Sequence, residues 1–169
     1  QASSMSSVDL LFALYLACLR PQHCVAVKPH AAPIIYSLLH LYGVLEGSAM
    51  ELLREKGGPQ PYPTKLKHPR FVDYTTSSEA LGVCATIYDA YGVIHHNRAF
   101  AASQGTPPLD GIYWAHCGDG ELTEGQIDES LYDAGRWGLD NLIWIVDLNR
   151  QSLDRVMDDS GRLEAWVDA

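Results

Sequence analysis

Two apolar segments that flank an amphipathic stretch constrain the fold of this chain more than any other feature. Residues 112–117 (IYWAHC) and 141–148 (NLIWIVDL) have the composition of buried strands, and residues 123–138 between them show helical apolar spacing. A strand–helix–strand unit crosses over with right-handed geometry and leaves its two strands parallel. The pattern therefore predicts an α/β protein that is built on a parallel sheet.

The remaining segments predict further elements around this unit. Apolar periodicity and composition predict three helices and one short strand, which are residues 8–19, 30–42 and 77–93 and residues 23–28. Ser48 and Glu51 are spaced as a capping box before a short helix, MELLREK. Thr123 and Gln126 are spaced as a second capping box. Pro, Gly and polar residues predict two loops, residues 58–70 and 98–110.

Charge and composition exclude several functional classes. The formal net charge is -9, so the chain lacks the basic surface that non-specific nucleic-acid binding requires. No apolar run reaches the ~18 residues of a membrane span, and no signal peptide is recognisable. The four cysteines show no C-x-x-C spacing, which favours reduced thiols in a cytoplasmic protein. The length of 169 residues favours a single domain or a piece of a larger one.

Polar residues follow both strands of the predicted unit. Asp119 lies in the turn Gly118-Asp119-Gly120 after the first strand, and Asn149 follows the second. Ligands of open α/β sheets bind at the carboxyl ends of the strands, where Asp119 and Asn149 are expected to converge. Carboxylate and amide oxygens suit Mg²⁺ or Ca²⁺, and the next helix N-terminus offers N–H groups to a phosphate. This edge is therefore predicted to hold a divalent metal and a phosphate-bearing ligand.

The G-D-G tripeptide also has a purely structural interpretation. Asp-Gly is common in turns, so the tripeptide alone favours a structural turn over a metal site. The strand before it, the capped helix after it and the N-R-Q segment at the end of the next strand reverse that preference. A magnesium-dependent phosphohydrolase would need an Asp-x-Asp nucleophile after an upstream strand, and the sequence contains none.

Longer motifs connect the chain to a known family. The segments G-D-G-E-L-T-E-G and N-L-I-W-I-V-D-L-N-R-Q-S-L-D resemble the thiamine-diphosphate motif of the transketolase superfamily. That superfamily includes transketolase and the homodimeric type of pyruvate dehydrogenase decarboxylating component. The segments S-M-S-S-V-D-L-L-F-A-L-Y, K-P-H-A-A-P-I-I-Y-S-L-L-H and T-T-S-S-E-A-L-G-V-C-A-T-I-Y-D-A occur in the family's order. The resemblance implies a three-layer parallel sheet with helices on both faces, the thiamine-diphosphate-binding fold.

The resemblance also implies a set of ligands for thiamine diphosphate and its metal. Asp119 and Asn149 would ligate Mg²⁺, or Ca²⁺, through their side chains, and Gln151 through its backbone oxygen. Gly120 would offer its N–H to the diphosphate, and Gly118 would allow the backbone to approach closely. Further cofactor contacts are expected from Glu79, Leu81, Glu121, Glu124 and Asn149.

Two residues match family positions with special roles. His30 matches a histidine that faces cofactor and substrate, so it is the candidate catalytic residue. Glu124 matches the buried acid that links the two active sites across the family's dimer. The chain departs from the family's pattern at four positions that bear on cofactor geometry, which are Pro29, Glu79, Ala80 and Arg150.

These matches imply that residues 1–169 form one diphosphate- and metal-binding domain, a fragment that is truncated at both ends and lacks the pyrimidine-binding domain. The implied enzyme is a transketolase-like transferase, which moves a two-carbon unit from a ketose to an acceptor. The alternatives are a fragment of a pyruvate dehydrogenase decarboxylating component that acts on a 2-oxo acid, and a non-catalytic or dimerisation fragment that binds no cofactor. A homodimer, or a partner chain that carries the pyrimidine-binding domain, would complete the site. The chain alone is expected to be inactive.

Overall fold

A three-stranded parallel sheet forms the centre of the computed structural model, which describes residues 2–152 and 155–156. The strand order is β1-β2-β3, with β1 at Cys24–Ala26, β2 at Tyr113–Gly118 and β3 at Leu142–Asp147. Two short strands, β4 (Gln151–Ser152) and β5 (Arg155–Val156), form a separate antiparallel pair. Leu153 and Asp154 of the motif, and residues 157–169 of the expected domain, lie outside the described residues.

Helices connect and cover the strands of the sheet. The α-helices are α1 (Ala2–Ser6), α2 (Val8–Ala13), α3 (Ala32–Leu41), α4 (Gly47–Glu51), α5 (Leu81–His96), α6 (Ala102–Gln104) and α7 (Gly125–Trp137). Turns of 3₁₀ helix occupy Pro29–Ala31 and Asp119–Thr123, and turns of π-helix occupy Leu14–Cys18 and Asn97–Ala101. Within the part of the chain that the structure describes, none of these helices combines the length and apolar character needed to cross a membrane.

The two faces of the sheet carry different helices, because side chains alternate along each strand. Val25 and Trp114 are neighbours in the parallel register and pack with α2 and α3. Ala115 and Trp144 are also register neighbours, and they pack with α5 and α7 on the opposite face. The arrangement is helix layer, sheet, helix layer, which confirms the predicted fold class.

The predicted strand–helix–strand unit is present as β2–α7–β3, but the predicted capping box is wrong. The 3₁₀ turn separates β2 from the helix, which begins at Gly125 and has no side-chain cap. The Thr123 hydroxyl donates to the carbonyl oxygen of Gly120 at 2.8 Å, and the side-chain amide of Gln126 donates to the carbonyl oxygen of Glu79. Both side chains therefore stabilise neighbouring turns and leave the helix N-terminus uncapped.

Other predicted boundaries shift for local reasons. Ser48 lies inside α4, and no side chain caps that helix, so the first capping box is also wrong. Helix α5 begins only at Leu81, because the preceding residue, Ala80, has left-handed backbone geometry (φ 58°). The predicted loop 98–110 begins with helical turns, and the predicted strand 23–28 is limited to three residues.

Candidate functional site

The carboxyl ends of β2 and β3 lie side by side, because Gly118 and Asp147 are partners in the parallel register. The backbone N–H of Arg150 donates a hydrogen bond to Oδ2 of Asp119. This bond joins the loop after β3 to the turn after β2. Asp119 is 3% exposed, and Asn149 directly precedes Arg150, whose backbone contacts Asp119. The structure thus brings together the two segments that the sequence places at this edge.

The oxygen atoms at this edge are held by short-range hydrogen bonds. Oδ1 of Asp119 accepts from the backbone N–H of Gly120 at 2.9 Å. Oδ1 of Asn149 accepts from the backbone N–H of Gln151 at 2.9 Å, and its Nδ2 donates to Ser6 Oγ at 3.3 Å. Within the described residues, no group of three or more His, Cys, Asp and Glu side chains is placed to hold a metal. A metal here would therefore depend on one carboxylate with amide and backbone oxygens, a hard donor set that fits Mg²⁺ or Ca²⁺.

A cleft of about 860 Å³ opens over this edge. Most of the predicted site residues line it, namely His30, Gly118, Asp119, Gly120, Glu121, Glu124, Asn149 and Gln151. Glu79 and Leu81 are not part of the lining, and their segment reaches the cleft through Ser78. The carbonyl oxygen of Glu79 is engaged by the side-chain amide of Gln126. Leu81 begins α5 with 49% of its surface exposed.

Glu121 is a buried acid on the wall of the cleft. It is 5% exposed, and its Oε2 accepts from the backbone N–H of Gly118 at 2.9 Å. Its Oε1 is buried and makes no hydrogen bond of good geometry among the described residues, although the backbone of Ala80 interacts with the carboxyl group. Burial raises the pKa of Glu121 to about 7, although the hydrogen bond from Gly118, the charge of Lys28 and the Ala80 backbone oppose this shift. Glu121 is therefore a buried carboxyl group whose protonation state changes near pH 7.

A buried ion pair lies behind the turn that contains Asp119. The side chain of Lys28 is 2% exposed and pairs with Asp147, whose side chain is 9% exposed. The hydroxyls of Ser6 and Ser7 also donate to Oδ2 of Asp147. Burial by itself raises the pKa of Asp147, but the hydrogen bonds from Lys28, Ser6 and Ser7 outweigh it and leave the pKa lowered. A β-carbon at Gly118 would lie 3.9 Å from Nζ of Lys28, so the ammonium group is adjacent to the turn.

His116 supports this ion pair from inside the sheet. The ring is fully buried, and its Nδ1 accepts from the backbone N–H of Lys28 at 3.4 Å. Its Nε2 lies 3.5 Å from Ser7 Oγ, which donates to Asp147. Burial, and then the positive charge of Lys28, lower the pKa of His116 to about 4. The imidazole is therefore neutral at pH 7 and links the lysine backbone to the serine.

His30 lines the wall of the cleft. It belongs to a 3₁₀ turn that begins at Pro29, a position where no backbone N–H is needed. Its ring meets Tyr62 edge-on at a centroid distance of 5.9 Å. Burial, followed by the charges of Lys28 and Arg54, lowers the pKa of His30. The ring is therefore neutral at pH 7 and can accept or donate a proton.

Sequence reasoning missed several residues of this site. Ser4, Lys28, Arg54 and Tyr62 line the cleft, and Asp147 anchors the buried lysine. Two of them, Asp147 and Lys28, could have been recognised from the sequence. Asp147 is an acid at the end of an apolar strand, and Lys28 directly precedes Pro29-His30. Charged residues are unusual in such apolar surroundings. Ser4 comes from α1, and Arg54 and Tyr62 come from the β1-to-β2 crossover, so their positions depend on how these distant segments pack.

Comparisons with known proteins give a consistent result. A family model described as the thiamine diphosphate binding domain of transketolase matches residues 22–164. The pyruvate dehydrogenase E1 component of Cupriavidus necator is 32% identical to the chain over 142 residues, which are 82% of this chain and 15% of that protein. A probable transketolase of Streptococcus pneumoniae is 32% identical over 136 residues, which are 78% of this chain and 20% of that protein. The chain thus spans 15% and 20% of these two relatives.

Transketolases are among the solved structures that share this fold. One from Leishmania mexicana superposes with a TM-score of 0.78 over 97% of this chain and 27% of that chain, at 22% identity. A transketolase mutant from Pichia stipitis superposes with a TM-score of 0.68 over 85% of this chain and 22% of that chain, at 27% identity. The first similarity, at its low identity, is one of fold alone.

Proposed function

The chain belongs to the transketolase family of thiamine-diphosphate-binding domains, and we propose that its cleft binds the diphosphate of this cofactor through Mg²⁺ or Ca²⁺. The observation that carries this proposal is the hydrogen bond from the Arg150 backbone to Asp119. It joins two oxygen-bearing loops at the strand ends, where α/β sheets bind their ligands.

In this proposal the donors at the sheet edge divide between metal and phosphate. Asp119 and Asn149 offer side-chain oxygens to the metal, and Gln151 offers its backbone oxygen. Gly120 and the residues after it present backbone N–H groups to the diphosphate. The lysine ammonium lies beside the same turn, where Asp147 balances its charge. In a chain with a net charge of -9, the metal and the backbone N–H groups would therefore offset most of the repulsion that the diphosphate meets.

The proposed reaction is the transfer of a two-carbon unit from a ketose to an acceptor. The bound cofactor supplies the chemistry that breaks a carbon–carbon bond beside a carbonyl group. His30 contributes a neutral imidazole within the cleft, and Tyr62 holds one edge of its ring. We propose that a second domain, in a second copy or a partner chain, covers the cofactor and completes the catalyst.

The first experiment is a calorimetric titration of thiamine diphosphate into the purified chain, with and without Mg²⁺. We expect binding only with the metal, and at least tenfold weaker binding in Asp119→Ala, because charge-assisted contacts are each worth roughly 1.5–3 kcal/mol. Asp110→Ala is the matched control, since Asp110 is exposed and outside the cleft lining.

The outcomes separate the proposal from its main rival. Binding that needs both Mg²⁺ and Asp119 supports the metal–diphosphate site. Binding that is independent of metal, or equally weakened by Asp110→Ala, contradicts it. If millimolar cofactor does not bind to the chain, either alone or with a supplied pyrimidine-binding domain, the non-catalytic alternative is favoured.

A pyruvate dehydrogenase decarboxylating component is the second candidate. The sequence match to the Cupriavidus necator protein, at 32% identity over 82% of the chain, favours it. The match to a probable transketolase is equally high in identity, so these values do not rank the two enzymes. The substrates differ in the anionic group they carry, which is a carboxylate in a 2-oxo acid and a phosphate in a ketose phosphate.

A further inference from the structure

The cleft extends well beyond the turn that carries Asp119. Its lining also includes a second group of residues from the crossover between β1 and β2, namely Leu53, Arg54 and Tyr62, together with His30 and Pro33. The first group, at the turn, holds several carboxylates and a lysine that is already paired with Asp147, whereas the second contains the guanidinium group of Arg54. We call the second the basic end and define it by His30, Arg54 and Tyr62.

The backbone places Arg54 at the basic end by an unusual conformation. Its φ angle is 71°, a left-handed value that side-chain-bearing residues rarely adopt. The turn is closed by a 3.0 Å hydrogen bond from the Arg54 N–H to the Pro59 carbonyl oxygen. Gly58 permits this closure, since a β-carbon there would lie 1.9 Å from the carbonyl oxygen of Leu52. Such strained positions occur preferentially at functional sites.

The charge of Arg54 is not used within the described structure. The ion pair between Lys28 and Asp147 is formed elsewhere in the cleft, and among the described residues no hydrogen bond or ion pair involves the Arg54 side chain. Its charge nevertheless reaches His30, whose pKa it helps to lower after burial and Lys28. A guanidinium group presents two parallel N–H donors that match a carboxylate or a phosphate.

We propose that Arg54 determines substrate specificity by binding the anionic group of the substrate at the basic end of the cleft. This inference rests on the proposed function, because it assigns the remaining space to a substrate that would lie beside the cofactor. The shared ligand chemistry is a planar or tetrahedral oxyanion. A carboxylate would come from a 2-oxo acid, and a phosphate from a ketose phosphate.

The test is an NMR-detected titration of inorganic phosphate, and separately of pyruvate, into the full chain. It compares the native protein with Arg54→Gly and Arg54→Lys. Glycine accepts a positive φ without strain, so Arg54→Gly removes the guanidinium and preserves the turn. We expect affinity for at least one anion to fall about tenfold in Arg54→Gly and to recover partly in Arg54→Lys.

Two control variants locate the bound anion. Lys67→Gln removes one positive charge from the same loop, but Lys67 is exposed and outside the cleft lining, so anion affinity should not change. Asp119→Ala should abolish binding of metal and thiamine diphosphate and leave anion binding intact. Arg54→Gly should show the opposite pattern, so a failed cofactor site and a failed basic end give different results.

Phosphate binding that depends on Arg54 supports the proposal and indicates a ketose phosphate. Pyruvate binding that depends on Arg54 supports it and indicates a 2-oxo acid. The proposal is overturned if neither anion binds at millimolar concentration, or if Arg54→Gly binds both anions as tightly as the native chain. It is also overturned if Lys67→Gln weakens binding equally, or if binding is lost in Asp119→Ala alone.

Discussion

The two ends of the cleft are built in different ways. The turn end, at Asp119 and Asn149, directly follows the ends of two paired strands, and backbone hydrogen bonds hold its oxygen atoms. The basic end, at Arg54 and Tyr62, sits on irregular backbone in the crossover between β1 and β2. Strand register sets the geometry of the first end, whereas a strained turn sets the second. Strand ends hold side chains in fixed positions more firmly than irregular backbone does, so the turn end is expected to be the more rigid of the two.

The largest expected effect comes from removing Lys28, which lies next to the turn end. Lys28→Met leaves the Asp147 carboxylate buried without its cation, and losing one partner of a buried pair costs roughly 3–5 kcal/mol. Urea denaturation measures the loss. Lys67→Met, at an exposed position on the crossover loop, should change stability by less than about 0.5 kcal/mol. A loss below about 1 kcal/mol in Lys28→Met would show that the serine hydroxyls alone satisfy Asp147.

A second prediction concerns the pH dependence that His116 gives to this ion-pair region. Its pKa is about 4 in the folded chain and about 6.5 when unfolded. The unfolded state therefore binds more protons between these two pH values, so stability rises with pH across this range. The contribution of His116 to the free energy of unfolding is fully present above pH 6.5. That contribution falls by up to about 3 kcal/mol as the pH decreases towards 4.

The variant His116→Gln isolates that contribution, because glutamine can still accept from the Lys28 backbone and donate to Ser7. Unfolding free energies of the native chain and the variant are measured from pH 7 to pH 4. We expect a flatter curve for the variant in this range. Parallel curves would mean that His116 is not the group that titrates.

Alanine substitution of one glycine near each end tests whether only the basic end is strained. Gly58→Ala brings a β-carbon to 1.9 Å from the Leu52 carbonyl oxygen, so the turn must open at a cost of roughly 1–3 kcal/mol. Gly118→Ala meets its nearest neighbour, Cδ of Lys28, at 3.5 Å, which is an ordinary contact. We expect Gly58→Ala to lose stability in urea and Gly118→Ala to lose less than about 0.5 kcal/mol. Equal losses would remove the distinction between a strained end and an unstrained one.

The smallest expected effect is that of Arg54→Gly on stability. Relief of left-handed strain gains about 1 kcal/mol, and the greater freedom of glycine in the unfolded chain costs about the same. The net change should stay below about 1 kcal/mol by thermal or urea unfolding. Arg54→Val should be clearly less stable than Arg54→Gly, because a β-branched side chain fits poorly at positive φ. If valine is tolerated as well as glycine, the turn is not strained.

The fold and the turn end were predictable because their signals are local. Apolar periodicity marks β2, α7 and β3, and the carboxyl ends of neighbouring parallel strands must meet at one edge. The boundaries were less predictable. Neither predicted capping box forms. Ser48 lies inside α4 instead of before it, and the Thr123 hydroxyl donates to the carbonyl oxygen of Gly120. The predicted roles of Glu79 and Leu81 stay predictions, and both residues lie outside the cleft lining.

Residue spacing within one strand–helix–strand unit is enough to predict the α/β class and the convergence of the segments that carry Asp119 and Asn149. Tertiary structure alone decided the partner of Lys28, since Asp147 is separated from it by the whole crossover. It also decided that Arg54 reaches the cleft, which depends on a left-handed residue and a glycine contact within one turn. The ion pair and the position of Arg54 arise from packing between segments that are distant in sequence and from the closure of one turn. Residue periodicity reports only on local structure, so it could predict neither.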